Sequence, residues 1–108
     1  MATYKNTQGE NILKGSEFKI NVSMDPIDDY TMKDIIFKCT FFSGDKSITL
    51  DKDDMIFADD NNYVAPLDSS KLGLGAIKVK YEADIPDEDF PDGYRHEIAI
   101  INTGLNIV

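Results

Sequence analysis

Residues 76–85 read AIKVKYEADI, and from Ile77 onward apolar and charged side chains alternate without exception. The apolar set is Ile77, Val79, Tyr81, Ala83 and Ile85, and every residue between two of them is a lysine, a glutamate or an aspartate. Because successive side chains of a β-strand point to opposite faces, this pattern predicts a strand with one face in a core and the other in water.

The rest of the chain repeats this kind of pattern in short stretches separated by turn-forming residues. The stretches that predict strands are 17–24, 33–42, 47–50, 63–67, 94–101 and 105–108. No stretch has apolar residues at the 3.6-residue spacing that would convincingly predict an amphipathic helix. About seven short strands at such spacings predict an all-β fold, and we expect an Ig-like antiparallel β-sandwich.

Residues 33–42, KDIIFKCTFF, predict the central strand of a sheet. Phe37 and Cys39 fall on one face of such a strand, and Ile36 and Phe42 fall on the other. Apolar residues on both faces indicate a strand that is buried more fully than its neighbours. Residues 43–46, SGDK, then supply the turn of a hairpin into the strand at 47–50.

The length of 108 residues predicts one compact domain with one core. Residues 1–14 are polar and have no sustained period, so we expect a flexible, polar N-terminal arm before a single β-sandwich domain at 15–108. Cys39 is the only cysteine, which excludes a disulfide within the chain. Its place in an apolar run predicts a buried core residue and not a reactive thiol.

The charge balance excludes one class of partner. Lys and Arg total 11 against 20 Asp and Glu, a net charge of -9, which repels a phosphate backbone. No apolar run approaches the roughly 18 residues of a membrane-spanning helix, and residues 1–14 contain no apolar stretch of the signal-peptide kind. We expect no nucleic-acid partner, no membrane association and no Sec export.

The most unusual stretch is PDEDFPDGYRHE at 86–97, which combines five carboxylates with the only histidine. Its carboxylates suggest calcium, but the spacing does not fit an EF-hand loop, because position 5 counted from Asp87 is Pro91 and Gly93 comes one residue late. An irregular calcium site remains an alternative. The residues Phe90 to Gly93 instead match a type I turn with proline second and glycine fourth.

Other patterns fail to predict a catalytic or metal site. The sequence contains no second histidine and no nucleophile-elbow motif that could act with His96 in catalysis. We therefore expect a protein that is not an enzyme and that needs no cofactor. Gly73 and Gly75 precede a strand instead of opening a helix, which indicates a turn or bulge and not a phosphate loop. The acidic residues at 51–60 lack any helix or glycine-rich turn to organise a metal site.

Several stretches of residues 15–108 resemble small β-sandwich structural proteins of tailed phages and prophages of gut Bacteroidetes, including the crAss-like group. The resemblance lies in KLGLGAIKVKYEADIPDEDFPDGYRHE and NTGLNIV, and in GSEFKINVSM and IIFKCTFFSGDKSITL. It implies a virion protein, made in the host cytoplasm, of the auxiliary capsid, head-fibre or tail-adaptor type. Such a protein acts by binding major capsid, tail or portal proteins and by forming homo-oligomers, without catalysis.

The residues expected to contact a partner belong to the acidic loop and the strand after it. They are Phe90, Asp92, Tyr94, Arg95 and His96. Interfaces favour aromatic side chains, which makes the phenylalanine and the tyrosine plausible anchors, although both would also fit as caps of the sandwich core. The alternative function is a β-sandwich module that binds carbohydrate or a host-surface ligand, assisted by calcium.

Overall fold

The computed structural model describes residues 2–3, 11–24 and 30–108, which form two β-sheets. Its nine strands are β1 Ala2–Thr3, β2 Asn11–Ile12, β3 Glu17–Met24, β4 Ile36–Ser43, β5 Lys46–Asp51, β6 Ile56–Asp59, β7 Asn62–Asp68, β8 Gly75–Pro86 and β9 Tyr94–Ile107. Single 3-10 turns lie at Lys52–Asp54 and Ser69–Lys71. The all-β prediction is confirmed.

The order of the strands within the sheets is that of an immunoglobulin sandwich. One sheet has the order β1-β3-β7-β6 and the other has the order β2-β9-β8-β4-β5. These orders correspond to the ABED and GFCC′ sheets of immunoglobulin domains, with β2 added beside β9. All pairs are antiparallel except β2 with β9, which is parallel.

The core lies between the two sheets and is built from the alternating faces that the sequence predicts. The inward residues of β8, from Ile77 to Ile85, are all buried, and so are Phe37, Cys39 and Phe41 of β4. The prediction that β4 is central is confirmed, because it lies between β8 and β5. Its second face is not buried, since Ile36 is 65% exposed on the outer face of the sheet.

Strands β8 and β9 form a hairpin much longer than the short strands that we expected. The predicted strands at 94–101 and 105–108 are one strand of 14 residues, in which Thr103 and Gly104 form a bulge opposite Ile77. The Thr103 hydroxyl donates to the Ile77 carbonyl at 2.7 Å and accepts from the Leu105 amide at 3.2 Å. A bulge keeps the strand in the sheet while changing its register.

Gly73, just before β8, and Gly75, its first residue, lie at the turn that the sequence predicts, and Gly73 also allows a close approach of two backbone segments. The Gly73 amide donates to the Ser43 carbonyl at 3.0 Å, and the Ser43 hydroxyl donates back to the Gly73 carbonyl at 2.7 Å. A Cβ at Gly73 would lie 2.6 Å from the Ser43 carbonyl oxygen. Only glycine therefore fits where this connection touches the β4–β5 turn.

Part of the predicted N-terminal arm belongs to the sheets. Residues 2–3 pair with β3, and Ile12 is buried beside the end of β9, where the Val108 amide donates to its carbonyl at 2.9 Å. Residues 1 and 4–10 of the arm lie outside the described residues, as do residues 25–29. The division of the chain into an arm at 1–14 and a domain at 15–108 stays a prediction.

Candidate partner-binding surface

The loop between β8 and β9 is closed by its own backbone hydrogen bonds. The Gly93 amide donates to the Phe90 carbonyl at 2.9 Å, which closes the predicted Pro-Asp-Gly turn. The Asp87 amide donates to the Gly93 carbonyl at 2.9 Å and so joins the two ends of the loop. Gly93 has a φ of +82°, a conformation that side-chain-bearing residues rarely adopt. The loop thus holds a defined shape at the end of the long hairpin.

An ion pair at the base of the loop adds to this order. The Arg95 guanidinium contacts the Asp87 carboxylate at 2.7 Å and the Glu97 carboxylate at 3.1 Å. The other oxygen of Asp87 accepts from the Asp89 amide at 3.0 Å. Asp87 and Arg95 are partly buried, so the charge of Asp87 is already balanced within the chain. The remaining acidic side chains of the loop stay in water.

The five residues expected to contact a partner do not form one patch. Phe90 and Tyr94 are 43% and 45% exposed, and Asp92 is exposed beside them and accepts from the Tyr94 amide. His96 lies on the same face of β9 as Tyr94, whereas Arg95 lies on the opposite face, towards the core side of the sheet. The structure therefore places Tyr94 and His96 on one face of β9, with Asp92 bonded to the Tyr94 amide and Phe90 exposed in the preceding loop, and it separates Arg95 from them.

His96 contacts two carboxylates of the neighbouring strand. Its Nδ1 lies 2.6 Å from the Asp84 carboxylate, and its Nε2 lies 3.9 Å from the Glu82 carboxylate. Asp84 is its cross-strand neighbour in the β8–β9 pairing. Among the contacts recorded for the described residues, no hydroxyl or thiol nucleophile meets this ring. The arrangement is an exposed polar cluster at the surface of the β8–β9 pair, in which the two carboxylates orient the imidazole ring.

An open groove of about 630 Å³ adjoins His96. Its lining includes Ile36 and Lys38 of β4, Glu82 and Asp84 of β8, and Asp51 to Asp53 at the 3-10 turn. The groove is wide and mixed in polarity, and its one aromatic lining residue, Phe37, is buried in the core. It offers polar contacts to a ligand but no exposed ring on which a sugar could stack.

The second acidic cluster forms caps of turns. The Asp51 amide donates to the Asp54 carboxylate at 3.0 Å, and Asp59 accepts from the Asn61 amide and from the Asn62 side chain. The Asn62 hydrogen bond lowers the pKa of Asp59, because it stabilises the charged carboxylate. Within residues 11–24 and 30–108, no three side chains of the metal-binding types come together as ligands.

Lys52 has a structural role that the sequence did not indicate, since there it only interrupts the acidic residues at 51–60. Its ammonium donates to the backbone carbonyls of Lys33 and Ile35 and lies 5.9 Å from the ring centres of Phe37 and Tyr63. Partial burial lowers its pKa. Its hydrogen bonds hold the 3-10 turn against the residues just before β4, and its side chain lines the groove.

The largest feature that sequence reasoning missed is an exposed apolar edge on β9. Ile98 and Ile100 are 56% and 63% exposed on the outer face of the sheet. The signal was present in the alternation of residues 94–101, but alternation does not say whether the apolar set faces a core or a partner. The described residues also include no helix with the length and apolar character needed to cross a membrane.

Comparisons with protein-family models, with curated proteins and with solved structures found no match. The resemblance of residues 15–108 to phage structural proteins accordingly stays a prediction. The geometry of the loop and of β9 is what supports a functional proposal.

Proposed function

We propose that this protein is a non-enzymatic virion structural protein that works by docking on other proteins of a phage particle. The observation that carries the proposal is the loop at 87–93 together with the first residue of β9, which expose Phe90 and Tyr94 to water on a framework of hydrogen bonds. Aromatic residues supply much of the energy of protein interfaces, and a preorganised loop loses little entropy on binding.

The chemistry of the loop indicates the chemistry of its partner. Glu88, Asp89 and Asp92 are exposed and give the loop that carries Phe90 and precedes Tyr94 a negative charge. A complementary surface has an apolar cleft for the rings and basic groups at its rim. Such a surface on a major capsid, tail or portal protein would receive the loop.

The overall charge and shape fit repeated assembly. A net charge of -9 keeps an abundant protein soluble before it docks. The molecule is elongated, with principal extents of 45, 27 and 20 Å, and the loop lies at the tip of the β8–β9 hairpin. A contact loop at the tip of a long hairpin suits attachment to a repetitive surface.

The test is incorporation into particles purified from the culture that produces the protein. Mass spectrometry should find the chain at a fixed ratio to the major particle protein, and electron microscopy should place it at symmetric positions. The double variant Phe90→Ser, Tyr94→Ser should lower that ratio about tenfold, because docking would bury the 43% and 45% of the two side chains that are exposed, worth roughly 1 kcal/mol each.

Leu74→Ser is the matched control for this experiment. Leu74 is 61% exposed and precedes β8, so it lies at the opposite end of the hairpin from the loop. Its replacement removes similar apolar surface and should leave incorporation unchanged. A chain that is absent from every particle, or that enters particles equally well without both rings, contradicts the proposal.

The alternative, a module that binds carbohydrate or a host-surface ligand, is favoured by one observation, the open groove beside His96. A ligand held only by the folded protein raises its melting temperature. Thermal unfolding with added calcium, and then with a panel of oligosaccharides, separates the two functions. A concentration-dependent rise in the melting temperature would support the alternative and weigh against the assembly role.

A further inference from the structure

Strand β9 has an open edge within the part of the chain that the structure describes. β8 pairs with one side of β9 along residues 94–102, whereas β2 pairs with the other side only at Asn106 and Ile107. From Tyr94 to the bulge at Thr103, the described residues provide no strand for this second side. A row of backbone N–H and C=O groups at such an edge is a template for another strand.

Two other outer strands, β5 and β6, carry features that discourage pairing, and this part of β9 does not. β6 has four residues, and a bulge interrupts its pairing with β7. β5 begins with Lys46 and ends with Asp51. Short strands, bulges and charges are the usual protections of a sheet edge. Residues 98–101 of β9 are Ile-Ala-Ile-Ile, without proline or charge.

The exposed isoleucines lie where a new strand would cover them. Ile98 and Ile100 are neighbours on the outer face, opposite Glu82 and Lys80 of β8. Both leave more than half of their surface in water. Cross-strand apolar pairs stabilise a sheet, so a strand added here would bury both side chains as well as satisfy the backbone.

We propose that β9 pairs antiparallel with β9 of a second copy of this chain, with Ala99 of the two copies face to face on a two-fold axis. This inference rests on the proposed assembly function and names one of its contacts. The two GFCC′-type sheets then join into one continuous sheet, and the two loops at 87–93 point in opposite directions. An isologous two-fold contact closes on itself and stops at a dimer.

The register follows first from the apolar side chains. With Ala99 on the axis, Ile98 lies opposite Ile100 of the second copy, and the reverse pair forms at the same time. The four isoleucines make one cluster on the outer face. Residues 96–102 can all pair in this register, and they lie within the regular part of β9 between the loop and the bulge.

Charges on the neighbouring strand favour the same register. The outer face of β8 carries Lys78 and Lys80 in its first half and Glu82 and Asp84 in its second half. With the axis at Ala99, a line drawn across the joined sheet passes from Lys80 through Ile100, then through Ile98 and Glu82 of the second copy. The next such row joins Lys78 to Asp84 of the second copy in the same way. The two end residues of each row are about three strand spacings, ~14 Å, apart, so the attraction sets orientation more than affinity.

The neighbouring registers lack this complementarity. An axis at Ile98 would align Glu82 with Glu82 of the second copy, and an axis at Ile100 would align Lys80 with Lys80. Like charges in one row, also ~14 Å apart, weakly disfavour these two registers. The sequence of the β8–β9 hairpin is therefore self-complementary about Ala99.

A disulfide at the axis tests the register in the full-length protein. Directly opposed residues of antiparallel strands have Cα atoms about 4.5–5.5 Å apart, within disulfide range, so Ala99→Cys should give a covalent dimer under mild oxidation. Ile98→Cys should not, because the two introduced thiols would sit on residues about 8 Å apart. Cys39 does not compete, since it is buried and burial raises its pKa to about 12.

Light scattering on the parent chain tests the dimer itself. The expected mass is twice the 12.1 kDa of one chain. Ile100→Lys should raise the dimer dissociation constant at least about tenfold, because it places a charge in the isoleucine cluster. Leu74→Lys, at an exposed site beside the far end of β9 and away from residues 96–102, should leave the constant unchanged.

Each contrary result has a distinct meaning. A dimer that cross-links in the Ile98→Cys variant and not in the Ala99→Cys variant, or that survives Ile100→Lys, overturns the pairing. A monomeric Ala99→Cys variant whose new thiol resists thiol reagents shows that the chain covers its own edge, and this too overturns the pairing. A monomer that still enters particles overturns the β9 pairing and leaves the assembly function standing. A parent dimer that the Ala99→Cys variant cross-links, but that never enters particles, supports the pairing and contradicts the virion role.

Discussion

Thr103→Val should destabilise the protein by about 2–4 kcal/mol, although it hardly changes the shape of the side chain. The Thr103 hydroxyl donates to the Ile77 carbonyl and accepts from the Leu105 amide, and the side chain is fully buried. Valine leaves both backbone groups without this partner. A buried polar group that loses its hydrogen bond costs about 1–3 kcal/mol, and the greater apolarity of valine offsets part of the total.

Thr103→Ser provides the matched comparison. It keeps the hydroxyl and removes one buried methyl group, which costs about 1 kcal/mol with its small cavity. If the hydroxyl holds the bulge, the serine variant is more stable than the valine variant. If only packing matters at this site, the order is reversed.

Urea unfolding followed by far-UV circular dichroism gives the comparison, with tyrosine fluorescence as a second probe because the chain has no tryptophan. For a domain of this size, 2–4 kcal/mol corresponds to a fall in melting temperature of roughly 10–25 °C. A valine variant that unfolds at the parental urea concentration, or above that of the serine variant, would refute this account of the bulge.

Further predictions concern the turn, the thiol and the loop. Gly73→Ala should cost about 2–4 kcal/mol of unfolding free energy, since its Cβ would meet a backbone oxygen at 2.6 Å, and Gly75→Ala, where no atom is near, should cost about 1–2. Cys39 should react with a thiol reagent at pH 8 at least about a hundredfold more slowly than in urea. Because burial raises the pKa of its thiol from 9.0 to about 12, unfolding free energy should also fall as the pH rises through that range. Asp87→Asn should speed amide hydrogen exchange in the loop several-fold, and Glu88→Gln, which changes the charge equally, should not.

The fold was predictable wherever one face of a strand is buried and the other is wet. The alternation from Ile77 to Ile85 predicts both the strand and its inward side chains, because a shift of one residue would turn every charge into the core. Residues 33–42 predict a central strand from a different signal, apolar residues on both faces, which correctly indicated the place of β4 within its sheet but wrongly indicated a buried second face. The exposure of Ile36 could not be foreseen, since an apolar residue on an outer face has the same local sequence signature as one covered by another layer.

The bulge and the edge lay beyond sequence reasoning because both depend on partners distant in the chain. Thr103 and Gly104 have the composition of a turn. They form a bulge instead because the Thr103 hydroxyl donates to the Ile77 carbonyl on the neighbouring strand. The role of Lys52 likewise depends on carbonyls 17 and 19 residues away. The loop turn at Phe90–Gly93 was predictable, since its residues bond to each other, and its role as a contact stays a prediction.

The parallel pair of β2 and β9 also sets an order on folding. Asn11 pairs with Asn106, 95 positions later, whereas the β8–β9 hairpin closes through a short local loop. Local contacts form early. Contacts between residues distant in the sequence form later, because closing a long loop costs conformational entropy. While the chain emerges from a ribosome, residues 11 and 12 must wait until nearly all the other strands have been made. We therefore expect β2, the first strand of this sheet in the sequence, to be the last to pair.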